Sequence, residues 1–210
     1  MRTKYKPWAL PYIEEHANET ISLEEIATLE YPVYLEIGSG KGQFLCDMAT
    51  KFSDLSFIGV EKNVTCAGYT LKKIVEQEIP NAKLFYGDGL NVIQTLKDKS
   101  VKYVFLNFSD PWPKKRQTKR RLTYGTFLQQ YNRILKKGGR VIMKTDNVTL
   151  FEYSLVSFDE NGWHLKEVSV DYRRDPHQED AITEYEASFM ELGQPIYRAM
   201  WQVEKEVCHD

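Results

Sequence analysis

The sequence predicts an α/β fold: a mostly parallel sheet with helices on both faces and an antiparallel addition at one edge. From residue 33 to residue 144, short apolar runs alternate with segments whose apolar residues have helical spacing. Strands separated by helices are typical of parallel sheets, whose strands are almost continuously apolar because both faces are buried. Later in the chain, residues 164–172 and 196–204 alternate between polar and apolar side chains, which is typical of antiparallel strands.

The elements follow one another in a regular order. The predicted strands of the parallel part are residues 33–37, 57–60, 82–86, 101–108 and 140–144. Helices are predicted between them at residues 44–52, 65–78, 91–96 and 124–136, the second closed by Pro80 and the fourth stopped by Gly138 and Gly139. A further helix over residues 150–158 precedes the two late strands, which a polar loop from residue 173 to residue 186 separates.

The N-terminal segment, residues 1–31, combines a basic arm with a short helix. The arm carries Arg2, Lys4 and Lys6, and the helix is predicted because Ser22 and Glu25 have the spacing of a capping box. No linker, repeat or low-complexity segment interrupts the chain, so residues 1–210 are predicted to form a single domain.

The composition is that of a globular protein, with 42% hydrophobic and 28% charged residues. No apolar run approaches the roughly 20 residues of a membrane span, and the first charged residues are not followed by the apolar segment of a secretory signal. We therefore expect a cytoplasmic protein without membrane contact. Cys46, Cys66 and Cys208 form no CxxC pair, which indicates neither a disulfide framework nor a metal site.

The positive charge is concentrated in one block, although the net charge is only -2. Six positive and no negative residues occupy eight consecutive positions: Lys114, Lys115, Arg116, Lys119, Arg120 and Arg121. Such a block is either a solvated face or a surface that contacts phosphates, and its position directly after a predicted strand end favours phosphate contact.

A glycine-rich turn follows the first predicted strand. Glu36, Gly38, Gly40 and Gly42 form this turn, at the carboxyl edge where a nucleotide-like ligand approaches the backbone of such sheets. A dinucleotide fingerprint would read GxGxxG, whereas here the third glycine comes one residue early. The spacing therefore favours a cofactor without a pyrophosphate.

Further acidic residues end the next strands at the same edge. Glu61 ends the second strand, where a carboxylate can accept both hydroxyls of a ribose, and Asp88 follows the third. Each acid taken alone is equally consistent with a solvated strand end. Their recurrence at successive strand ends favours a binding site.

The fourth strand ends in the run Asn107-Phe108-Ser109-Asp110-Pro111-Trp112-Pro113-Lys114. Each proline keeps the residue before it out of the helical region, so the loop is stiff. Asp110 would lie beside the reactive end of a cofactor, and the ring of Trp112 could stack on a base. The alternative is a rigid surface turn with Trp112 packed into the core.

Two later motifs allow either a functional or a structural interpretation. Asp146 lies in Lys144-Thr145-Asp146-Asn147, whose polar residues either contact a ligand or cap the next helix. The run Thr183-Glu184-Tyr185-Glu186 belongs to the late polar loop, which is either an exposed hairpin or a lid over substrate.

Taken together, these motifs resemble the bacterial tRNA (guanine-N7)-methyltransferase family over nearly the whole chain. The glycine motif is shared by many S-adenosylmethionine-dependent methyltransferases, whereas the Asp110-to-Pro113 motif followed by the basic block, with residues 183–186 downstream, is specific. The resemblance implies a seven-stranded Rossmann-like fold and methyl transfer from S-adenosylmethionine to N7 of guanosine 46 in the tRNA variable loop. The enzyme would act on tRNA as a monomer or homodimer and without a metal.

The same resemblance assigns roles to individual residues. It makes Asp110 the catalytic residue and places it with Glu36, Gly38, Gly40, Glu61 and Asp88 at the cofactor. The implied substrate contacts are Lys114, Asp146, Thr183, Glu184, Tyr185 and Glu186, and the implied RNA-contacting stretch is Arg116, Gln117, Thr118, Lys119, Arg120 and Arg121. Many relatives carry a histidine where this chain has Gln117, so the role of that histidine does not transfer.

The chemistry agrees with what the sequence lacks. Guanine N7 carries a lone pair and no proton, so methyl transfer needs alignment and charge stabilisation but no general base. A nicotinamide-dependent dehydrogenase would share the sheet and Glu61 but leaves the basic block unexplained. A non-catalytic RNA-binding module leaves the acidic strand ends without a role. An N6-adenine methyltransferase stays closer, because its motif also joins an acidic or amide residue to proline and an aromatic residue.

Overall fold

The computed structural model describes residues 3–203, so the expectations that involve Arg2, Glu204 and Cys208 lie outside the described residues. Its centre is a seven-stranded sheet in the order β3-β2-β1-β4-β5-β7-β6. The strands are β1 (Val33–Ile37), β2 (Ser56–Glu61), β3 (Ala82–Tyr86), β4 (Val101–Asn107), β5 (Leu135–Thr145), β6 (Trp163–Ser169) and β7 (Tyr197–Val203). The first five strands pair in parallel, while β7 pairs antiparallel with both β5 and β6. The predicted fold class is confirmed.

Helices cover both faces of this sheet. They are α1 (Ala9–Glu15), α2 (Leu23–Thr28), α3 (Gln43–Lys51), α4 (Val64–Glu76), α5 (Gly89–Thr95), α6 (Gly125–Ile134), α7 (Val148–Glu160) and α8 (Glu184–Glu191). Short 3₁₀ helices occupy Ala17–Glu19, Lys115–Arg120 and Tyr172–Arg174. Within residues 3–203, none of these helices has the length and apolar character needed to cross a membrane.

Two apolar layers hold the helices against the sheet. On one face, side chains of β1 and β4 pack with α6 and α7, and Phe158 of α7 stacks on Trp201 of β7 with ring centroids 3.9 Å apart. On the other face, β2 and β3 pack against α3 and α4. Because the first five strands run parallel, their carboxyl ends meet at one edge, and the turns that follow them form the candidate site.

The boundary between α6 and β5 corrects one prediction. The helix predicted over residues 124–136 ends at Ile134, and β5 begins at once with Leu135. Gly138 and Gly139 lie inside this strand, where the pairing with β4 shifts register and Gly138 adopts φ +75°. A side chain at Gly139 would sit 2.8 Å from the Lys136 carbonyl oxygen, so the glycines permit a bulge in the strand rather than ending the helix.

The late polar loop is also more structured than predicted. Residues 173–186 contain the end of a 3₁₀ turn and the first turn of α8. Thr183 and Glu186 form a capping box at the start of α8, the same signal that Ser22 and Glu25 give at α2. The helix at Ser22 is confirmed; α1 and α8 were not predicted.

Candidate active site

The glycine-rich turn exposes backbone at the carboxyl end of β1. Gly38 and Gly40 adopt φ values of +84° and +60°, and a Cβ on either would meet no atom within 4 Å. The space beside them is open, so a ligand can approach the chain closely. Gly42, at φ +82°, is the N-cap of α3 and lies so close to Thr70 that a Cβ on it would be 2.7 Å from the Thr70 side chain.

Glu36 is a buried carboxyl beneath this turn, with 2% of its surface exposed. Its Oε1 accepts a hydrogen bond from Nδ2 of Asn107 at 2.9 Å. Among the residues that the structure describes, Glu36 Oε2, Ser39 Oγ and Asn107 Oδ1 are buried and have no hydrogen-bond partner. Burial raises the pKa of the Glu36 carboxyl to about 8. Buried polar atoms are normally paired, so these three point to a polar or cationic ligand.

Glu61 closes the other side of the turn. Its Oε2 accepts the Gly40 N–H at 2.9 Å, and its Oε1 accepts the Asn63 N–H at 2.7 Å. Burial raises the pKa of the Glu61 carboxyl, while these N–H groups act in the opposite direction. Each carboxylate oxygen keeps a lone pair for a second donor, so the fixed carboxylate can still accept ligand hydroxyls.

Asp88 follows β3 and Asp146 follows β5, and both are exposed. Asp88 caps α5 by accepting the Leu90 N–H at 2.8 Å, a role that was not predicted for it from the sequence. After β5, Asn147 caps α7 by accepting the Leu150 N–H at 2.8 Å. The cap of this helix is therefore Asn147 and not Asp146.

The loop after β4 has a strained backbone on both sides of Asp110. Phe108 and Trp112 adopt φ values of +50° and +42°, which bulky side chains rarely do. Asp110 between them is exposed. Such strain persists only where surrounding contacts fix the backbone, and it is concentrated at functional sites.

Helix α8 reaches this loop from the far end of the sequence. The ring of Phe108 stacks on Tyr185 and on Phe189, with centroid distances of 6.3 Å and 5.8 Å. Burial raises the pKa of the Tyr185 hydroxyl, and neighbouring negative groups, Asp110 among them, add to the shift. The structure therefore brings the two motifs predicted from residues 107–114 and 183–186 together.

A buried ion cluster fixes the first turn of α8 to the sheet. It consists of Lys144 on β5, Arg173, Asp180 and Glu186, in which each cation pairs with both carboxylates at distances of 2.5–2.8 Å. Burial opposes ionisation of Glu186, but Lys144 and Arg173 outweigh it and hold the pKa of this carboxyl below its usual range. Glu186 also accepts the Thr183 N–H, so both residues are engaged inside the protein.

Glu184 and Tyr185 are the members of this motif that reach the surface of the site. Glu184 accepts a hydrogen bond from Lys73 of α4 at 2.6 Å, and Lys73 also donates to Gln43 of α3. Tyr185 is exposed beside Phe108. The segment therefore forms a wall between α4 and the Asp110 loop, with Thr183 and Glu186 supporting it from inside.

The basic block forms the 3₁₀ helix Lys115–Arg120 and its flanks. Gln117 and Thr118 are half-buried, while the exposed members are Lys114, Lys115, Arg116, Lys119 and Arg120. The guanidinium of Arg120 lies over the Trp112 ring, 5.0 Å from its centroid. Arg121 differs from the expectation for the block, because its side chain points inward and is 6% exposed.

The roles of several groups at this edge were not predicted from the sequence. Asn107 as partner of Glu36, Lys73 as partner of Glu184 and Lys144 as the centre of a buried cluster depend on contacts between distant segments. Only Lys144 gave a local signal, as a lysine at the end of an otherwise apolar strand. Within residues 3–203, no group of three or more His, Cys, Asp or Glu side chains is arranged to hold a metal ion.

The strand order and the glycine-rich turn after β1 define the class of protein as a Rossmann-like methyltransferase. Solved structures of that class share the fold. An antibiotic-related methyltransferase aligns with a TM-score of 0.61 at 14% identity, covering 86% of this chain and 94% of its own. A SAM-dependent methyltransferase from Aquifex aeolicus aligns with a TM-score of 0.56 at 11% identity, covering 96% of this chain and all of its own.

Sequence comparison gives the family. A family model described as a putative methyltransferase matches residues 30–199. The tRNA (guanine-N(7)-)-methyltransferase of Oceanobacillus iheyensis is 41% identical over 98% of this chain and its own full length. Those of Pediococcus pentosaceus and Bacillus subtilis are 44% and 42% identical, over 94% and 95% of this chain and 98% and 97% of their own. The chain belongs to the tRNA (guanine-N7)-methyltransferase family.

Proposed function

We propose that this protein transfers a methyl group from S-adenosylmethionine to N7 of guanosine 46 in the variable loop of tRNA, in the cytoplasm. One observation carries the proposal: the Glu36 carboxyl with its unpaired Oε2, the strained Asp110 loop and five exposed basic residues lie along one sheet edge. The names of the relatives supply the substrate, and the site offers the groups that this substrate and cofactor need.

The groups around the glycine-rich turn fit S-adenosylmethionine. This cofactor supplies a methyl group on a positively charged sulfonium, and it also carries an ammonium group and a ribose. Glu36, with the unpaired Oδ1 of its partner Asn107, suits the ammonium group. Glu61 is held in place to accept the ribose hydroxyls, and Gly38 and Gly40 leave room beside the backbone for the cofactor. Asp88 is assigned to the cofactor as well, as an exposed carboxylate after β3.

Asp110 is assigned the catalytic role. Guanine gains positive charge as N7 takes up the methyl group, and a carboxylate held in place beside it stabilises that charge without reorganisation. No proton leaves N7, so the site needs no general base. Asp110 also contacts the cofactor in this assignment, which places it between the two reactants.

The substrate side of the site is assigned to Lys114, Asp146 and the wall formed by residues 183–186. Lys114 donates to guanine O6 or to a nearby phosphate. Of the wall, Glu184 and Tyr185 touch the substrate, while Thr183 and Glu186 hold the first turn of α8 in place. The exposed cations Lys115, Arg116, Lys119 and Arg120 bind the phosphate backbone, with Gln117 and Thr118 between them.

The test uses tRNA transcripts and isotopically labelled S-adenosylmethionine. The expected product is labelled 7-methylguanosine, identified by nucleoside mass spectrometry, in a transcript with guanosine at position 46. A matched transcript with adenosine at that position should yield none. Methylated adenosine, or guanosine methylated on its exocyclic nitrogen, would refute the N7 assignment, and label in the adenosine-46 transcript would refute the position alone.

A calorimetric titration separates the enzyme from a non-catalytic RNA-binding module. We expect S-adenosylmethionine to bind the protein in the absence of RNA, because the residues assigned to the cofactor are already held in position. Absence of binding heat at several temperatures, together with tight tRNA binding, would support the module instead.

A further inference from the structure

The side chain of Arg121 is buried, whereas the other charged residues of the basic block are exposed. Its Nε donates to the Pro111 carbonyl at 2.9 Å and its Nη2 donates to the Trp112 carbonyl at 3.3 Å. The guanidinium also lies 4.3 Å from the centroid of the Tyr153 ring on α7. Within residues 3–203, no carboxylate pairs with this buried cation. Two backbone carbonyls and an aromatic face therefore replace its hydration.

The carbonyls that Arg121 binds belong to the strained part of the Asp110 loop. Trp112 holds φ at +42°, and no backbone N–H of the described residues donates to the Pro111 or Trp112 carbonyl. On the other side of Asp110, the Phe108 N–H donates to the Lys144 carbonyl at 2.8 Å. The loop is thus tied to the sheet before Asp110 and to Arg121 after it. Without the second tie, the strained backbone at Trp112 has fewer contacts that oppose its relaxation.

We propose that Arg121 is a positioning residue that sets the backbone on which Asp110 is held, and that it does not contact RNA. The proposal rests on the proposed function, since it concerns the same reaction. The planar guanidinium of Arg121 suits two adjacent carbonyls, and the Tyr153 ring lies against one of its faces. Only 6% of the residue is exposed, so little of the cation is accessible to a phosphate. The five exposed cations remain for the RNA.

Two substitutions of Arg121 separate geometry from charge. Arg121→Lys keeps the positive charge but cannot donate to both carbonyls from a planar fork, and Arg121→Gln removes the charge. Lys119→Gln serves as the reference for a lost phosphate contact, because Lys119 is exposed on the 3₁₀ helix that Arg121 follows. For each protein we would measure the single-turnover rate at saturating tRNA and S-adenosylmethionine, and the tRNA affinity as a function of salt.

Both Arg121 variants should lower the single-turnover rate by about 10-fold or more, because small displacements of a reacting group are costly. Their slope of log affinity against log salt should match that of the parent, whereas Lys119→Gln should reduce the slope by about one unit. A parent-like rate in Arg121→Lys, together with a shallower slope in Arg121→Gln, would show that Arg121 contacts phosphate and would overturn the proposal.

Hydrogen exchange of the loop amides gives a measurement that does not depend on methylation. In both Arg121 variants, amides of residues 107–114 should exchange faster than in the parent, while amides of β1 stay unchanged. If the parent makes no 7-methylguanosine, the proposed function fails and the exchange result still decides whether Arg121 holds the loop. Unchanged exchange in residues 107–114 would overturn the role of Arg121 even in an active enzyme.

Discussion

At the scale of single residues, the carboxylates at the strand ends differ in their surroundings. Glu36 is buried against Asn107, Glu61 is fixed by two backbone N–H groups, and Asp110 is exposed on a strained loop. The same side-chain chemistry thus serves three roles in the proposed reaction. A buried acid faces a cation, a fixed acid accepts hydroxyls and an exposed acid meets the substrate.

Asp110→Asn removes one charge and leaves the shape of the side chain nearly unchanged. We expect the single-turnover rate at saturating substrates to fall by roughly 100-fold or more, as for other preorganised electrostatic groups, with smaller effects on binding. Rapid-quench kinetics with labelled cofactor measures this rate. A variant that transfers methyl at a near-parent rate would remove Asp110 from the catalytic role.

Glu61→Ala removes the acceptor assigned to the ribose. We expect the affinity for S-adenosylmethionine to fall by about 1.5–3 kcal/mol, the usual contribution of hydrogen bonds to a charged group. The tRNA affinity should change little, because Glu61 lies across the glycine-rich turn from the basic block. Titration of each ligand by calorimetry measures both values, and an unchanged cofactor dissociation constant would contradict the assignment.

At the scale of elements, α8 shows how a polar helix is held to the sheet. Its capping box fixes the first turn, and the cluster of Lys144, Arg173, Asp180 and Glu186 joins that turn to β5. Charges without water are stable only when all are paired, so the cluster should act as one unit. The position of this cluster links the orientation of Tyr185 to the sheet that carries the proposed cofactor site.

Glu186→Gln tests the charge of this cluster and preserves the capping box, which glutamine also forms. We expect the free energy of unfolding to fall by about 3–5 kcal/mol, because two buried cations would then share one carboxylate. Urea unfolding at neutral pH measures the loss. Asp98→Asn, which breaks an exposed pair with Arg133, should cost about 0–1 kcal/mol and serves as the control. Equal losses in the two variants would contradict the buried cluster.

The sign of the pH dependence follows from the lowered pKa of Glu186. A carboxyl whose pKa is lower in the folded state contributes stability above its unfolded pKa of 4.5, and that contribution is lost as the pH falls through the folded value. The stability difference between the parent and Glu186→Gln should therefore shrink in acid, and a difference that grows in acid would contradict this sign.

The elements also show what the sequence could and could not predict. The bounds of β1 and β3 agree with the predicted runs, because a buried parallel strand has its own apolar pattern. The bulge in β5 depends on pairing with β4, which no local pattern contains. Helix α8 has a mostly polar sequence, so its capping box is the main sequence signal for it. The burial of Arg121 cannot be predicted from the sequence, because Arg121 belongs to a run of charged residues whose other members are exposed.

At the scale of the whole molecule, the order of the strands brings distant motifs to one edge. Parallel pairing aligns the ends of β1 to β5. Residues 173–186 belong to the connection from β6 to β7, and because β7 pairs with β5 this connection lies at the end of β5, where Lys144 binds Asp180. The sequence motifs predicted which residues belong to this edge. The supporting contacts, such as those of Lys73 and Asn107, needed the tertiary structure because they join separate elements.

The proposed cofactor site lowers the stability of the folded protein, because it keeps the Glu36 carboxyl buried when no cofactor is bound. The folded-state pKa of Glu36 is about 8 and its unfolded value is 4.5. Between these values the folded state binds more protons than the unfolded state, so the free energy of unfolding falls as pH rises. The slope is at most about 1.4 kcal/mol per pH unit, and a neutral side chain at this position would not contribute it.

Glu36→Gln removes this titration while its amide oxygen can still accept from Asn107. Without cofactor, we expect the variant to gain stability relative to the parent as pH is raised from about 5 to about 8, by a few kcal/mol at most, because only the parent must bury a charge or hold a proton. Urea unfolding across this range measures the difference, and the same variant should bind S-adenosylmethionine more weakly. If the cofactor ammonium pairs with Glu36, saturating S-adenosylmethionine should stabilise the parent most at the alkaline end, where the carboxyl is otherwise least favourable. A stability difference that stays constant with pH would show that Glu36 is ionised in the cofactor-free protein over this whole pH range. A positive group of the protein itself would then have to balance the buried charge.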